Sequence, residues 1–144
     1  MNRTDNLRPV RRAVLGDEID AFGHEPHRFR DMLALGVNVC IGTDSLASNP
    51  SLSIVDELRF LRRNHPDLDP MELLRMGTLR GATALGFGDV TGSLTPGKSA
   101  DVVVIPVSAG AAPQGWASML ESEAKLLEVM AAGKTMEQDR DRSV

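Results

Sequence analysis

The residue best placed for chemistry is Asp44, a carboxylate at the end of a short apolar run, Val37-Asn38-Val39-Cys40-Ile41-Gly42-Thr43-Asp44-Ser45. Val37, Val39 and Ile41 are bulky and β-branched, and Asn38, Cys40, Gly42 and Asp44 are small or polar. Successive side chains of a strand point to opposite faces, so the two sets lie on opposite sides. Asp44 continues the small-residue row where the chain leaves the strand. A carboxylate there can hold a cation or carry a proton; the competing reading is a loop aspartate that caps a helix or turn. His24 and His27 stand three apart with Pro26 between them. They are a conceivable metal pair, set against a solvent-exposed pair at a loop and helix start. His65 precedes a proline at a helix end and is expected on the surface.

The other reactive types read as structure. Cys40 has no histidine partner at a convincing position and is expected as a small inward core residue. Ser45 and Ser48 lack a Ser-His-Asp context, so turn or cap roles win. Ser48 and Asn49 are expected to brace the loop after the strand through side-chain to backbone bonds. Gly86, Gly92 and Gly97 have spacings that fit neither nucleotide fingerprint and mark turns. Lys98 and Asp101 flank a strand and are assigned structural roles.

The elements that must position Asp44 can be read around it. A helix over His27–Leu35, with Pro26 in its first turn, exposes Phe29, Met32, Leu33 and Leu35 on one face and ends at Gly36 as a left-handed cap. A second helix over Ser53–Asn64 repeats Ile54, Val55, Leu58 and Leu61 at helical spacing, with Glu57, Arg59, Arg62 and Arg63 mainly off that face. A strand with helices before and after it is parallel, with its bulky face turned to helices. Ligand and catalytic groups of such sheets gather at the carboxyl ends of the strands, which is where Asp44 stands.

Further along, Asp69 caps a helix with Pro70 at its first position, and Leu79–Leu85 forms a shorter one closed by Gly86. Thr95-Pro96-Gly97-Lys98 has proline and glycine where a type II turn needs them. Asp101-Val102-Val103-Val104-Ile105-Pro106 is a β-rich run, Ala109 to Gly115 a small-residue linker, and Trp116 to Glu121 a single helical turn. Ala124 to Met136 stays open between a helix, favoured by its Glu, Ala, Leu and Met content, and a hairpin turning at Ala132-Gly133-Lys134. Met1 to about Asp20 shows no clear period and is expected to be poorly ordered.

With 144 residues the chain is one ordinary domain or pieces of two, and its net charge of −4 suggests neither a nucleic-acid nor a membrane partner. One cysteine permits no internal disulfide, and the opening residues lack the apolar core of a secretory signal. A cytoplasmic location is the expectation.

Three segments in order resemble the metal-dependent amidohydrolases, in particular the subgroup of nucleobase and nucleoside aminohydrolases and triazine chlorohydrolases. Gly42-Thr43-Asp44-Ser45-Leu46-Ala47-Ser48-Asn49 looks like that family's last barrel strand and following loop. The run from Leu74 to Gly86 is similar to the helical pair after it, and Gly92 to Val104 to the return into a small β-sandwich. The resemblance covers roughly residues 21–135. It implies an α/β fold: the last βα unit and trailing helices of a (β/α)8 barrel followed by part of a small β-sandwich. The divisions are then 1–20, 21–88 for the barrel part and 89–144 for the partial sandwich.

The resemblance further implies a divalent metal, Zn or Fe, and hydrolysis of non-peptide C–N bonds, such as deamination of a heterocyclic small molecule by water. Asp44 matches the aspartate that ligates the metal and takes the water's proton, and the loop of His24 and His27 lines the substrate pocket. The family's other ligands are histidines, an H-x-H pair and two more on middle strands, which this sequence lacks. About three protein ligands are normal for catalytic zinc, so the chain alone is not expected to bind metal or turn over. It is expected to be the C-terminal part of a longer enzyme, associating with a missing N-terminal part or with itself. The alternative is a non-catalytic remnant or interaction module that pairs through an exposed strand.

Overall fold

In the computed structural model, residues 12–14, 28–43, 52–107 and 115–136 are described; for 12–14 this concerns the backbone alone. Strand β1 (Arg12–Val14) lies parallel to β2 (Val39–Ile41), with Arg12 opposite Val39 and Val14 opposite Ile41. Helix α1 (Phe29–Ala34) lies between them in sequence, as a parallel crossover requires. A strand thus stands inside the stretch for which poor order was expected. Three residues of Arg-Ala-Val carry no periodic signal; pairing with β2 makes them a strand.

The end of α1 follows its sequence closely. Gly36 has φ +74°, the Gly36 N–H donates to Leu33 O (2.9 Å) and the Val37 N–H to Met32 O (2.9 Å). This double closure on a left-handed glycine satisfies carbonyls that the helix end would leave open. It also shortens the strand: Val37 is tied to the helix, and the Asn38 side-chain amide donates to Arg80 O (3.0 Å). Pairing therefore begins at Val39 rather than Val37.

Helix α2 (Ile54–Asn64) is capped by Ser53, whose hydroxyl accepts the Asp56 N–H at 3.3 Å. Helix α3 (Pro70–Gly77) has Asp69 accepting the Met71 N–H at 3.0 Å, with Pro70 in the first turn. Helix α4 (Leu79–Leu85) closes at Gly86, φ +85°. All four helices contact β2, and α2 also packs on α3. The core is Phe29, Val39, Ile41, Leu58, Leu61, Leu73 and Met76, joined by Leu120. Each such side chain contributes roughly 1.5–3 kcal/mol by leaving water.

The reading of α2 needs one correction. Glu57 and Arg59 were expected off the apolar face, yet both are buried, at 2% and 6% exposure. Ile54, Glu57, Leu58 and Leu61 are the i, i+3, i+4 and i+7 positions of one stripe, so Glu57 stands inside it. Arg59 lies on a second face with Val55 and Arg62, covered by the chain around residues 121–124.

Beyond α4, the Lys98 N–H donates to Thr95 O (3.1 Å) and Gly97 has φ +91°, the geometry of the expected type II turn. Strand β3 (Val102–Val104) pairs antiparallel with β4 (Glu128–Ala131), which pairs with β5 (Lys134–Thr135). Helix α5 (Trp116–Glu121) precedes the hairpin and packs on α2 and α3. The open choice over 124–136 thus falls to the hairpin. Ala132 and Gly133 both have positive φ (49° and 75°), as a two-residue hairpin turn requires. Local propensity yields because Val104 O accepts the Leu127 N–H (2.8 Å) and Ala100 O the Gly133 N–H (2.9 Å), so β3 templates β4. Among the described residues no helix is long and apolar enough to cross a membrane.

Candidate functional site

Strand β2, which precedes Asp44 in sequence, is held from several sides. Val39, Cys40 and Ile41 are all buried, at 0%, 8% and 7% exposure. Cys40 is thus the core residue expected of it, and burial pushes its thiol up from the ordinary value, away from nucleophilic use. After Ile41 the chain passes through half-buried Gly42 and Thr43 toward Asp44. Asp44 itself lies outside the described residues, as do His24, His27, Ser45, Ser48 and Asn49. What the structure fixes is the frame: β2 on one side of residues 44–51 and the Ser53 cap of α2 on the other.

His65, expected on the surface, is instead half-buried. Its ring stands edge-on to Phe29, centroids 5.1 Å apart, and its Nδ1 lies 3.1 Å from Arg30 Nη2. Desolvation, then the Arg30 charge, lowers its pKa, while Asp67 acts the other way. Arg30 also holds Asp67 through two bonds of 2.6 and 2.7 Å, and that hydrogen bonding takes the carboxyl down to about 2.

Lys98 and Asp101 have the structural roles expected. The Lys98 ammonium donates to Gly88 O and to Thr91 O (3.3 Å). Asp101 accepts from Thr91 Oγ1 (2.5 Å), Ser99 Oγ (2.9 Å) and the Ala132 N–H (2.8 Å), and these donors, Thr91 foremost, hold its carboxyl below the usual range. The carboxylate thereby ties the turn after α4 to the hairpin tip.

Arginines that sequence reasoning left on the surface clamp α2 to the approach to β4. Arg59 Nη2 donates to Ala124 O (2.7 Å), Arg62 pairs with Glu121 (2.9 Å) and Arg63 with Glu123 (3.3 Å). Their i, i+3, i+4 spacing was the available signal. A cleft of about 390 Å³ beside them is lined by Ser53, Val55, Asp56, Arg59, Glu123, Lys125, Leu126 and Val129. Its two cations and two carboxylates balance, so it selects neither sign of ligand. Among the described residues no three His, Cys, Asp or Glu side chains are grouped so as to hold a metal ion.

These features define an α/β protein in which helices wrap a parallel strand, followed by a small antiparallel sheet. The sequence matches the Amidohydrolase family over residues 10–136, and the chain belongs to that family. Its match begins upstream of the first resembling segment and includes β1. A 5'-deoxyadenosine deaminase of Methanoregula boonei is 36% identical over 111 residues, 65% of this chain and 25% of that protein. An adenosine deaminase of Xanthomonas campestris, solved with bound zinc, superposes with a TM-score of 0.60 at 37% identity, covering 72% of this chain and 26% of that one. A mutant atrazine chlorohydrolase of Arthrobacter aurescens, complexed with zinc and atraton, superposes with a TM-score of 0.71 at 26% identity, covering 85% and 30%. The chain thus spans about a quarter to a third of the length of these proteins. They imply a barrel-type α/β fold and a divalent metal at the level of the family.

Proposed function

We propose that this chain is the C-terminal part of a metal-dependent amidohydrolase that hydrolyses non-peptide C–N bonds, deaminating a heterocyclic small molecule. In this reading β1 and β2 are the last two strands of a (β/α)8 barrel and β3–β5 part of a small β-sandwich. The observation that carries it is the family match over 10–136 together with a buried strand, β2, that leads directly into Asp44.

The residues present do not by themselves fit a complete metal site. Asp44 offers one hard oxygen ligand, and the described residues group no three donors. Asp44 acts as a carboxylate that accepts a proton from the attacking water and returns it to the leaving amine, as general acid–base chemistry requires. Gly42 and Thr43 link it to β2, and Ser48 and Asn49 brace the loop. His24 and His27 contact the substrate.

The test is a chimera in which this chain replaces the matching C-terminal part of a related deaminase. The chimera is expected to retain metal and release ammonia from a nucleoside amine, and Asp44→Asn to lower turnover by about 10²–10⁴-fold. Equal turnover with and without the carboxylate would refute the assignment. The 144-residue chain alone is expected to release no ammonia.

A second reading, a module that pairs through an exposed strand, draws support from β3. Val103, at the centre of this edge strand, is 48% exposed.

A further inference from the structure

The turn joining α2 to α3 carries a polar cluster that the proposed function does not use. A guanidinium has donors and no acceptor, so the 3.1 Å contact from Arg30 Nη2 requires an unprotonated Nδ1 on His65, with the ring proton on Nε2. The same nitrogen of Arg30 donates to Asp67 Oδ1 (2.7 Å), and Nη1 donates to Oδ2 (2.6 Å). Phe29, the first residue of α1 and 2% exposed, supports the edge of the ring. Two residues at the start of α1 therefore meet two residues of the turn. Among the described residues α1 has only one other ion pair, the local Arg28–Asp31 contact (2.7 Å).

We propose that Arg30, His65 and Asp67 form an acid-sensitive clasp holding the start of α1 against the α2–α3 connection, and that protonation of His65 loosens it. A proton on Nδ1 removes the acceptor of the Arg30 bond and places a second cation 3.1 Å from the guanidinium. The bidentate Arg30–Asp67 pair then holds α1 without the ring. Protonation also charges a half-buried ring packed on Phe29, which favours its turning outward to water.

Other charged groups around the ring are committed elsewhere. On α2, Arg62 donates to Pro66 O and Leu68 O and pairs with Glu121, and Arg63 pairs with Glu123. On α3, Asp69 caps the first turn and Glu72 pairs with Arg75 and Arg80. Arg30 and Asp67 thus set the field at the ring, and desolvation with Arg30 favours the neutral form. A histidine whose folded pKa lies below its unfolded value contributes fully above about 6.5, and that contribution falls away as pH drops from there through the folded value. In sequence α1 follows His24 and His27 directly, so the clasp sets how firmly the chain enters the helix beyond them.

The experiment is amide hydrogen exchange of Phe29–Ala34 in the 144-residue chain at about pH 5 and about pH 7.5, on either side of the histidine range and corrected for intrinsic rates. The clasp predicts that opening of α1 rises roughly fivefold at the acid pH, the scale of one half-exposed charged contact, while α4 does not respond. His65→Asn keeps an acceptor near the Nδ1 position that does not titrate, so α1 should become pH-insensitive with its neutral-pH protection retained. Asp67→Asn should raise exchange in α1 at both pH values. A flat wild-type profile, or the same acid response with and without the histidine, would overturn the clasp.

Discussion

Gly92→Ala is expected to destabilise the chain far more than Gly97→Ala, although both glycines adopt a left-handed backbone. Gly92 has φ +86° and Gly97 φ +91°. A left-handed conformation costs an L-residue about 1–2 kcal/mol at either place. The surroundings differ. A Cβ at Gly92 would stand 2.7 Å from Ala82 Cβ, 2.9 Å from Leu79 Cα and 3.2 Å from Thr78 O, whereas one at Gly97 meets nothing within 4 Å. Two of the three atoms facing Gly92 are backbone at the start of α4, so relief means shifting the helix. Overpacking of this kind costs about 1–3 kcal/mol more. The expected losses are about 2–5 kcal/mol for Gly92→Ala and about 1–2 kcal/mol for Gly97→Ala. Urea unfolding followed by far-UV circular dichroism measures both. Equal losses would refute the argument, because they would show that Gly92 is needed for its dihedral alone and not for the close approach of the chain to α4.

Further outcomes follow from the sheet and the carboxylates. Val103→Lys places a charge on the exposed centre of β3, and any concentration-dependent association seen by sedimentation should disappear; association that persists removes strand pairing through β3 as its cause. Acid should erode stability in a defined window. Asp67 is held down to about 2 by Arg30, and Asp101 below its ordinary 3.8 by Thr91, the Ala132 N–H and Ser99. Both contributions are present above the unfolded value and are lost as pH falls below it, that of Asp67 through about 2. A thermal-melting series across that range should fall more steeply for the wild type than for a chain carrying Asp67→Asn and Asp101→Asn; equal slopes would remove these carboxylates as the cause.

Determined by the sequence alone were the features whose causes lie within a few residues. Gly36 and Gly86 close their helices, Asp69 and Pro70 open one, and Pro96-Gly97 makes its turn. Each depends on dihedral freedom or a side chain that reaches its own backbone.

Tertiary structure decided whatever needed a partner distant in the chain. Arg12–Val14 becomes a strand because Val39–Ile41 lies beside it, and residues 128–135 become a hairpin because Val102–Val104 supplies a template stronger than their helical propensity. Glu57 and Arg59 are buried because the core and the approach to β4 close over α2, and His65 is a hydrogen-bond acceptor because Arg30 is folded back onto it. Local sequence sets what a residue can do at low cost, while burial and pairing depend on which remote groups arrive to share it.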